Sequence, residues 1–312
     1  MKVALFGSGQ RAETVLRALL FAGIEVPLCV YSGPSNNDPF AGRATIEGLT
    51  VFGPENPSND PEFLTKLRDL SPDVLFSVAY HHLLKNEVLG CCKECINFHA
   101  GDLTRFRGCS PMNWALVDGE TAFTISACRM DVGIDSGDVI REETFEISVD
   151  ETISELHELA MSTFADFALE IVSKVQGGGI TPLHAPSNAH RYCSRRFPDD
   201  ALVLWDTMSA WEVHNLIRAS SSPYGGAISF LNGREVRLWK SVWTPEVEIR
   251  TAPGRICRIT ENGIYVGTQD QALLLTEVDY FGQRTSLLNE VKIYDKFQTM
   301  SDFLLQYMRQ SQ

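Results

Sequence analysis

An asparagine and a histidine two residues apart stand among apolar neighbours in Ile96-Asn97-Phe98-His99-Ala100-Gly101. On an extended segment alternate side chains face opposite sides, so Ile96 and Phe98 share a core face while Asn97 and His99 share the other. An amide beside an imidazole suits acyl transfer, because an oxyanion needs a preorganised donor and an attacking amine must lose a proton. Taken alone, the pair is better accounted for as a hydrogen-bonded asparagine and histidine of the core. Cys92-x2-Cys95, with Cys91 and His99 nearby, has the spacing of half a zinc site, but no second ligand pair follows at a usable distance along the chain. A second polar cluster, Tyr80-His81-His82, follows directly on an apolar run.

These residues need elements to position them. The pattern predicts a strand over 2–6, a tight turn at Gly7-Ser8-Gly9, and a helix over 13–22 with Val15, Leu16, Leu19 and Leu20 on one face. A Gly-x-Gly turn there can cradle a phosphate, but the third glycine of the dinucleotide spacing is missing, and a turn that needs small residues is the simpler account. A strand over 25–31, a helix over 61–70 and a strand over 74–78 continue the alternation, which predicts a parallel sheet covered on both faces. Ligands of such sheets sit beyond the carboxyl ends of the strands, where Tyr80-His81-His82 falls. Thr152-Ile153-Ser154-Glu155 is a capping box opening a long helix that stops at Gly177-Gly178-Gly179. Beyond a polar, irregular linker the pattern changes. Asn232-Gly233 between two alternating runs predicts a hairpin, and further short strands predict a small β-barrel, preceded by a helix over 210–220 and followed by a terminal helix over 287–308.

The chain has 312 residues, 44% hydrophobic and 21% charged, which fits a soluble protein with a large domain and a smaller one. No apolar stretch is long enough to span a bilayer, and the opening run is too short for a signal-peptide core. The eight cysteines show no framework spacing, which predicts a reducing compartment and a cytoplasmic location. A net charge of −13 repels polyanions and argues against a nucleic-acid partner.

Further motifs sharpen the assignment. Downstream of Asn97 and His99 lie Arg105-Phe106-Arg107-Gly108-Cys109-Ser110-Pro111 and Met130-Asp131-Val132-Gly133-Ile134-Asp135-Ser136-Gly137-Asp138. In this order they resemble the formyltransferase family: Asn-x-His, then Arg-x-Arg-Gly with a nearby Pro, then Asp-x-Gly-Leu/Ile-Asp-x-Gly-Asp, with the family's separation between Asn97 and Asp135. Phe197-Pro198-Asp199-Asp200 through Trp205, and Asn215 through Tyr224, are similar to the family's C-terminal domain. The resemblance implies an α/β, Rossmann-like formyltransferase domain with a mostly parallel sheet over 1–190, a linker over 191–200, and an OB-like β-barrel domain over 201–312. It implies an enzyme with Asn97, His99 and Asp135 as catalytic residues, Asp135 orienting His99. N10-formyltetrahydrofolate would be the donor, held by His81, His82, Leu83, Asp131, Val132, Gly133, Ile134 and Asp138, with no metal. Two departures stand out. Many members carry Ser-Leu-Leu-Pro after the catalytic histidine and its glycine, where this chain has Gly101-Asp102-Leu103-Thr104, and Cys109 replaces an arginine of the aminoarabinose enzymes.

Members of the family formylate methionyl-tRNA, nucleotide-linked amino sugars or small amines such as hydroxyornithine. The tRNA enzymes carry a basic insertion early in the first domain, whereas here the stretch 32–49 contains only Arg43. Pro72 to Ser77 and Pro111 to Glu120 resemble the formyltransferases of 4-amino sugars. A nucleotide-linked amino sugar is therefore the expected acceptor, with Tyr80, Arg105 and Arg107 on the substrate side, Arg195 and Arg196 as further cations for a diphosphate, and a homodimer as the assembly. A scaffold that binds folate without transferring the formyl group is the non-enzymatic alternative, and water as acceptor is the hydrolytic one.

Overall fold

The computed structural model describes residues 1–32, 37–185, 192–280, 282–285, 287 and 290–310. Contacts divide the chain into one unit of residues 1–111, 123–145 and 157–193 and another of 112–122, 146–156 and 194–312. Residues 33–36, in the stretch compared above with the basic insertion, and residues 186–191, which reach the first residue of the expected linker, lie outside the described residues.

In the first unit Val3, Ala4, Leu5 and Phe6 are wholly buried, as the continuous apolar run of a strand covered on both faces must be. They form β1 (Lys2–Gly7), followed by α1 (Gly9–Phe21), β2 (Glu25–Tyr31), α2 (Pro39–Ile46), β3 (Val51–Phe52), α3 (Pro61–Leu70), β4 (Val74–Val78), α4 (Asn86–Leu89) and β5 (Glu94–His99). Along the chain then come β6 (Arg107–Gly108), α5 (Pro111–Val117), which after Pro111 belongs to the other unit, β7 (Ala122–Arg129), β8 (Val139–Glu146), α6 (Ile153–Gln176), which up to Leu156 also belongs to the other unit, and β9 (Tyr192–Cys193). Seven strands form one sheet in the order β3-β2-β1-β4-β5-β7-β8, parallel from β3 to β5 and antiparallel from β5 to β7. This is the mostly parallel α/β sheet that the strand and helix alternation predicts.

Helix starts follow the local chemistry. Asp38 caps α2 by accepting from the amides of Phe40 and Ala41, with Pro39 at the first helical position, and Asp60-Pro61 repeats the arrangement at α3. Asp38 also takes the amide of Gly9 at 2.9 Å, so a carboxylate of the chain occupies the start of α1 where the Gly-x-Gly turn suggested a phosphate. At Gly7 a Cβ would lie 2.4 Å from Ala12 Cβ and 2.8 Å from the Val78 carbonyl, which is why only glycine lets α1 and β4 close on β1.

The second unit contains α7 (Ala210–Ser220), opened by a Ser209–Glu212 capping box, and then β10 (Ala227–Leu231), β11 (Arg234–Val242), β12 (Ile256–Thr260), β13 (Gly263–Gly267), β14 (Ala272–Tyr280), β15 (Gln283–Thr285) and α8 (Met300–Gln310). Asn232 and Gly233 take φ of 52° and 77°, the left-handed pair that a two-residue hairpin demands. The antiparallel sheet runs β10-β11-β14-β13-β12, with β15 on β14. Its two edges are joined by one extended segment: Phe297 bridges Leu231 and Lys296 bridges Arg255, which closes the sheet on itself around Trp205, Leu238, Leu275 and Phe297. This closure also shortens the terminal helix. The expected helix over 287–308 begins only at Met300, because the preceding residues are used in the barrel and Thr299 and Asp302 cap the helix reciprocally. Among the described residues no helix is long and apolar enough to cross a membrane.

Candidate active site

β5 carries its two polar side chains as the alternation predicts. Ile96 is wholly buried, and Phe98 packs edge-on against Phe76 and Phe164 at centroid distances of 5.1 and 5.5 Å. Asn97 and His99 project from the other face, near the carboxyl end of the strand, opposite Cys128 and Ser126 of β7.

Asp135, on the loop joining β7 to β8, meets both. Its Oδ1 accepts from Asn97 Nδ2 at 2.9 Å and its Oδ2 from the Gly108 amide at 2.9 Å, while His99 Nδ1 stands 3.4 Å from Oδ2. The side chains of His99 and Asp135 are only 6% and 9% exposed, so this carboxylate is held by donors rather than by water. The other ring nitrogen, His99 Nε2, lies 2.6 Å from the Phe106 carbonyl oxygen. A carbonyl only accepts, so Nε2 carries a hydrogen in this arrangement.

The loop that delivers Asp135 is tightly built. Asp135 itself has φ of 50°, and Asp131 Oδ1 accepts from the Gly133 amide at 2.9 Å and from Ser136 Oγ at 2.5 Å. A Cβ on Gly137 would lie 1.9 Å from the Arg129 carbonyl, so the glycine is obligatory where the loop folds back on the strand. Asp138 closes the loop through its carbonyl, which takes the Arg129 amide at 2.8 Å.

The remaining expected site residues fall into distinct environments. Leu83, Val132 and Ile134 are exposed apolar side chains, at 64%, 66% and 46%, on the loops after β4 and β7. His81 is anchored by its amide to Ser32 Oγ at 3.0 Å, and His82 packs on the ring of Tyr80. Tyr80 points inward: its ring sits edge-on to Phe6, its hydroxyl is buried without a hydrogen-bond partner among the described residues, and burial pushes its pKa well up. Arg105 is exposed, whereas Arg107 is buried, with Nε donating to the Leu103 carbonyl at 2.7 Å. Arg195 stacks over Phe197, and Arg196 over Trp114 at 5.1 Å with Nη2 on the Asp200 carbonyl at 2.7 Å.

Two groups that the sequence motifs do not reveal are backbone atoms: the Phe106 carbonyl on His99 and the Gly108 amide on Asp135. Only the glycine after Arg107 hints at them. Gly108 has φ of 93°, and a Cβ there would approach the Cys193 carbonyl to 2.6 Å. Cys92 and Cys95 are free thiols, the Cys92 thiol pushed up by its hydrogen bond with Cys95 and by burial. Among the described residues no group of three or more His, Cys, Asp or Glu side chains is placed to hold a metal ion.

Comparison with known proteins agrees with the motifs. The chain is 30% identical over 294 residues to a methionyl-tRNA formyltransferase of Alkaliphilus oremlandii, covering 91% of this chain and 93% of that one. It is 32% identical over 242 residues to the methionyl-tRNA formyltransferase of Clostridium novyi, covering 77% of each. In structure it resembles WlaRD, a sugar 3N-formyl transferase solved in the presence of dTDP and 5-N-formyl-THF, with a TM-score of 0.70 at 16% identity over 93% of this chain and 99% of that one. HypX from Aquifex aeolicus, solved with tetrahydrofolic acid, gives a TM-score of 0.63 at 19% identity over 89% of this chain and 44% of that one, so the chain spans under half of HypX. At these identities the structural matches show a shared fold. Residues 1–163 match the formyl transferase family and residues 197–290 its C-terminal domain, and the chain belongs to the formyl transferase family.

Proposed function

We propose that this formyltransferase moves a formyl group from N10-formyltetrahydrofolate to the amine of a nucleotide-linked amino sugar, with Asn97, His99 and Asp135 as its catalytic residues. The observation that carries the chemistry is the convergence of an amide, an imidazole and a carboxylate at β5. Asn97 Nδ2 has two hydrogens; one is held by Asp135 Oδ1 at 2.9 Å, which aims the second at a developing oxyanion. His99 Nε2–H exchanges the Phe106 carbonyl for the same oxyanion. The acceptor nitrogen bonds to the formyl carbon, the bond from that carbon to N10 breaks, and the proton shed by the amine passes to N10 with the His99–Asp135 pair as its relay. Exposed Leu83, Val132 and Ile134 supply apolar surface suited to a flat heterocycle, and the donor needs no metal once the oxyanion is stabilised.

Charge supports this acceptor. Arg43, the one cation of the stretch 32–49, already pairs with Glu13 at 3.2 Å and Glu47 at 3.4 Å, so it adds little positive field for a polyphosphate. A nucleotide diphosphate needs only one or two cations, and exposed Arg105 is a candidate. Methionyl-tRNA is the second acceptor to weigh, because the relatives with 30% and 32% identity are named for it.

An acceptor panel tests this directly: dTDP-, UDP- and GDP-linked amino sugars, hydroxyornithine and methionyl-tRNA, each with N10-formyltetrahydrofolate, and mass spectrometry of the product. Formylation of a nucleotide amino sugar is expected. Formylation of methionyl-tRNA alone would overturn the acceptor and leave the transfer chemistry in place.

A further inference from the structure

The segment that follows β5 departs from the family pattern in sequence, and its construction is visible. Asp102 Oδ1 accepts from the Thr104 amide and hydroxyl at 2.7 and 2.6 Å, and the Asp102 carbonyl accepts from the amides of Arg105 and Phe106 at 3.0 and 2.7 Å. This is a side-chain-stabilised turn, of the kind an aspartate builds where a proline is absent. Leu103 and Phe106 are buried below it, at 2% and 4% exposure. Arg107 then turns back beneath the segment, 6% exposed, and its Nε reaches the Leu103 carbonyl at 2.7 Å. On the far side β6 pairs with β9, and the Cys109 amide donates to the Cys193 carbonyl at 2.9 Å.

This brace has two outputs, both on the candidate catalytic groups. The Phe106 carbonyl lies 2.6 Å from His99 Nε2, and the Gly108 amide 2.9 Å from Asp135 Oδ2, one residue on either side of Arg107. We propose that Arg107 is a positioning residue, whose guanidinium clamps residues 103–108 so that Phe106 and Gly108 set the hydrogen position of His99 and the orientation of Asp135. The inference rests on the role given above to His99 and Asp135, and it replaces a substrate-side role for Arg107 with a structural one at the same site. A lysine would keep the charge but lose the planar fork and the Nε hydrogen.

The test uses the full chain with nitrogen-15 histidine, Arg107→Lys and Arg107→Met variants, and His99→Gln to assign the His99 signals among the seven histidines. Nitrogen shifts should show Nε2 of His99 as the proton-bearing site in the parent and a loss of that preference in Arg107→Lys. Turnover in Arg107→Lys should fall about ten-fold or more, since misplacement of a reacting group by about 1 Å can cost 10²-fold, while the KM for donor and acceptor stays within two-fold. Unchanged His99 shifts with unchanged turnover would overturn the proposal, as would a raised acceptor KM with preserved turnover, which would make Arg107 a substrate contact. Should Arg107→Met fail to fold, the lysine variant decides. If the parent transfers formyl to no acceptor, the functional assignment fails, and the spectra still decide whether Arg107 sets the His99 hydrogen.

Discussion

Two buried histidines, one in each unit, share a carbonyl at Nε2 and differ in what faces Nδ1. His214 of α7 places Nε2 2.9 Å from the Val149 carbonyl and Nδ1 2.9 Å from Ser241 Oγ, and it stacks on Trp211. The carbonyl must receive Nε2–H and the hydroxyl can donate to Nδ1, so one neutral tautomer satisfies every group, and burial holds its pKa down. His99 also gives Nε2 to a carbonyl, that of Phe106, but its Nδ1 faces a carboxylate that is bound in turn to Asn97 and Gly108. One ring has a closed set of partners; the other belongs to a chain of donors and acceptors with a spare amide hydrogen. Burial and a hydrogen bond from Nε2 to a carbonyl are therefore common to both rings, whereas a carboxylate against Nδ1 that is itself bound by further donors is found at His99 and not at His214.

Replacing each histidine should break this comparison in opposite directions. His99→Ala should lower turnover per folded molecule by about 10²- to 10³-fold, the usual loss for one oxyanion donor. Gly101→Ala comes next: a Cβ there would stand 2.8 Å from His99 Nε2 and 2.7 Å from Pro111 Cβ, and the displaced ring should lose about ten-fold in turnover. His214→Ala should leave turnover per folded molecule within two-fold while denaturant titration shows a loss of about 1–3 kcal/mol from the unpaired Val149 and Ser241 groups.

The smallest effect concerns a third histidine, His157 on α6. Its Nδ1 faces the Arg11 guanidinium at 2.8 Å, and burial together with that cation lowers its pKa to about 3 from an ordinary 6.5. The folded state then binds fewer protons than the unfolded chain between these values, so the contribution of this site is complete above pH 6.5 and is lost as pH falls towards 3. His157→Gln should flatten the acid limb of a stability profile. A limb of unchanged slope would show that other groups produce it.

Much of the scaffold was legible because its signals are local. The buried run Val3 to Phe6, the Asn232-Gly233 hairpin and the Thr152–Glu155 cap depend on residues a few positions apart, and each stands where expected. The terminal helix was overestimated because the segment before Met300 closes the barrel, and nothing in its periodicity reports a partner strand far along the chain. At the site, alternation was enough to place Asn97 and His99 on one face. Asp135 was reached only through the family motif, since its approach depends on a left-handed φ of 50° and a glycine packed on Arg129. The Phe106 carbonyl and the Gly108 amide are hinted at only by the glycine after Arg107, because every residue has such groups. Arg107, expected on the substrate side from its charge, is buried and gives Nε to the Leu103 carbonyl, which its sequence context does not announce.

Asp135→Asn offers the most direct test of the account. The two carboxylate oxygens accept from different donors, Asn97 Nδ2 and the Gly108 amide, and an asparagine has only one oxygen to offer, so either orientation sets an amide NH2 against a donor. The measurement is the single-turnover rate of formyl transfer by the folded variant, on the acceptor that the parent enzyme formylates. The arrangement predicts a fall of about 10²-fold, as expected when reacting groups lose their alignment. A rate equal to that of the parent would contradict the assignment of Asn97, His99 and Asp135 as the transfer site.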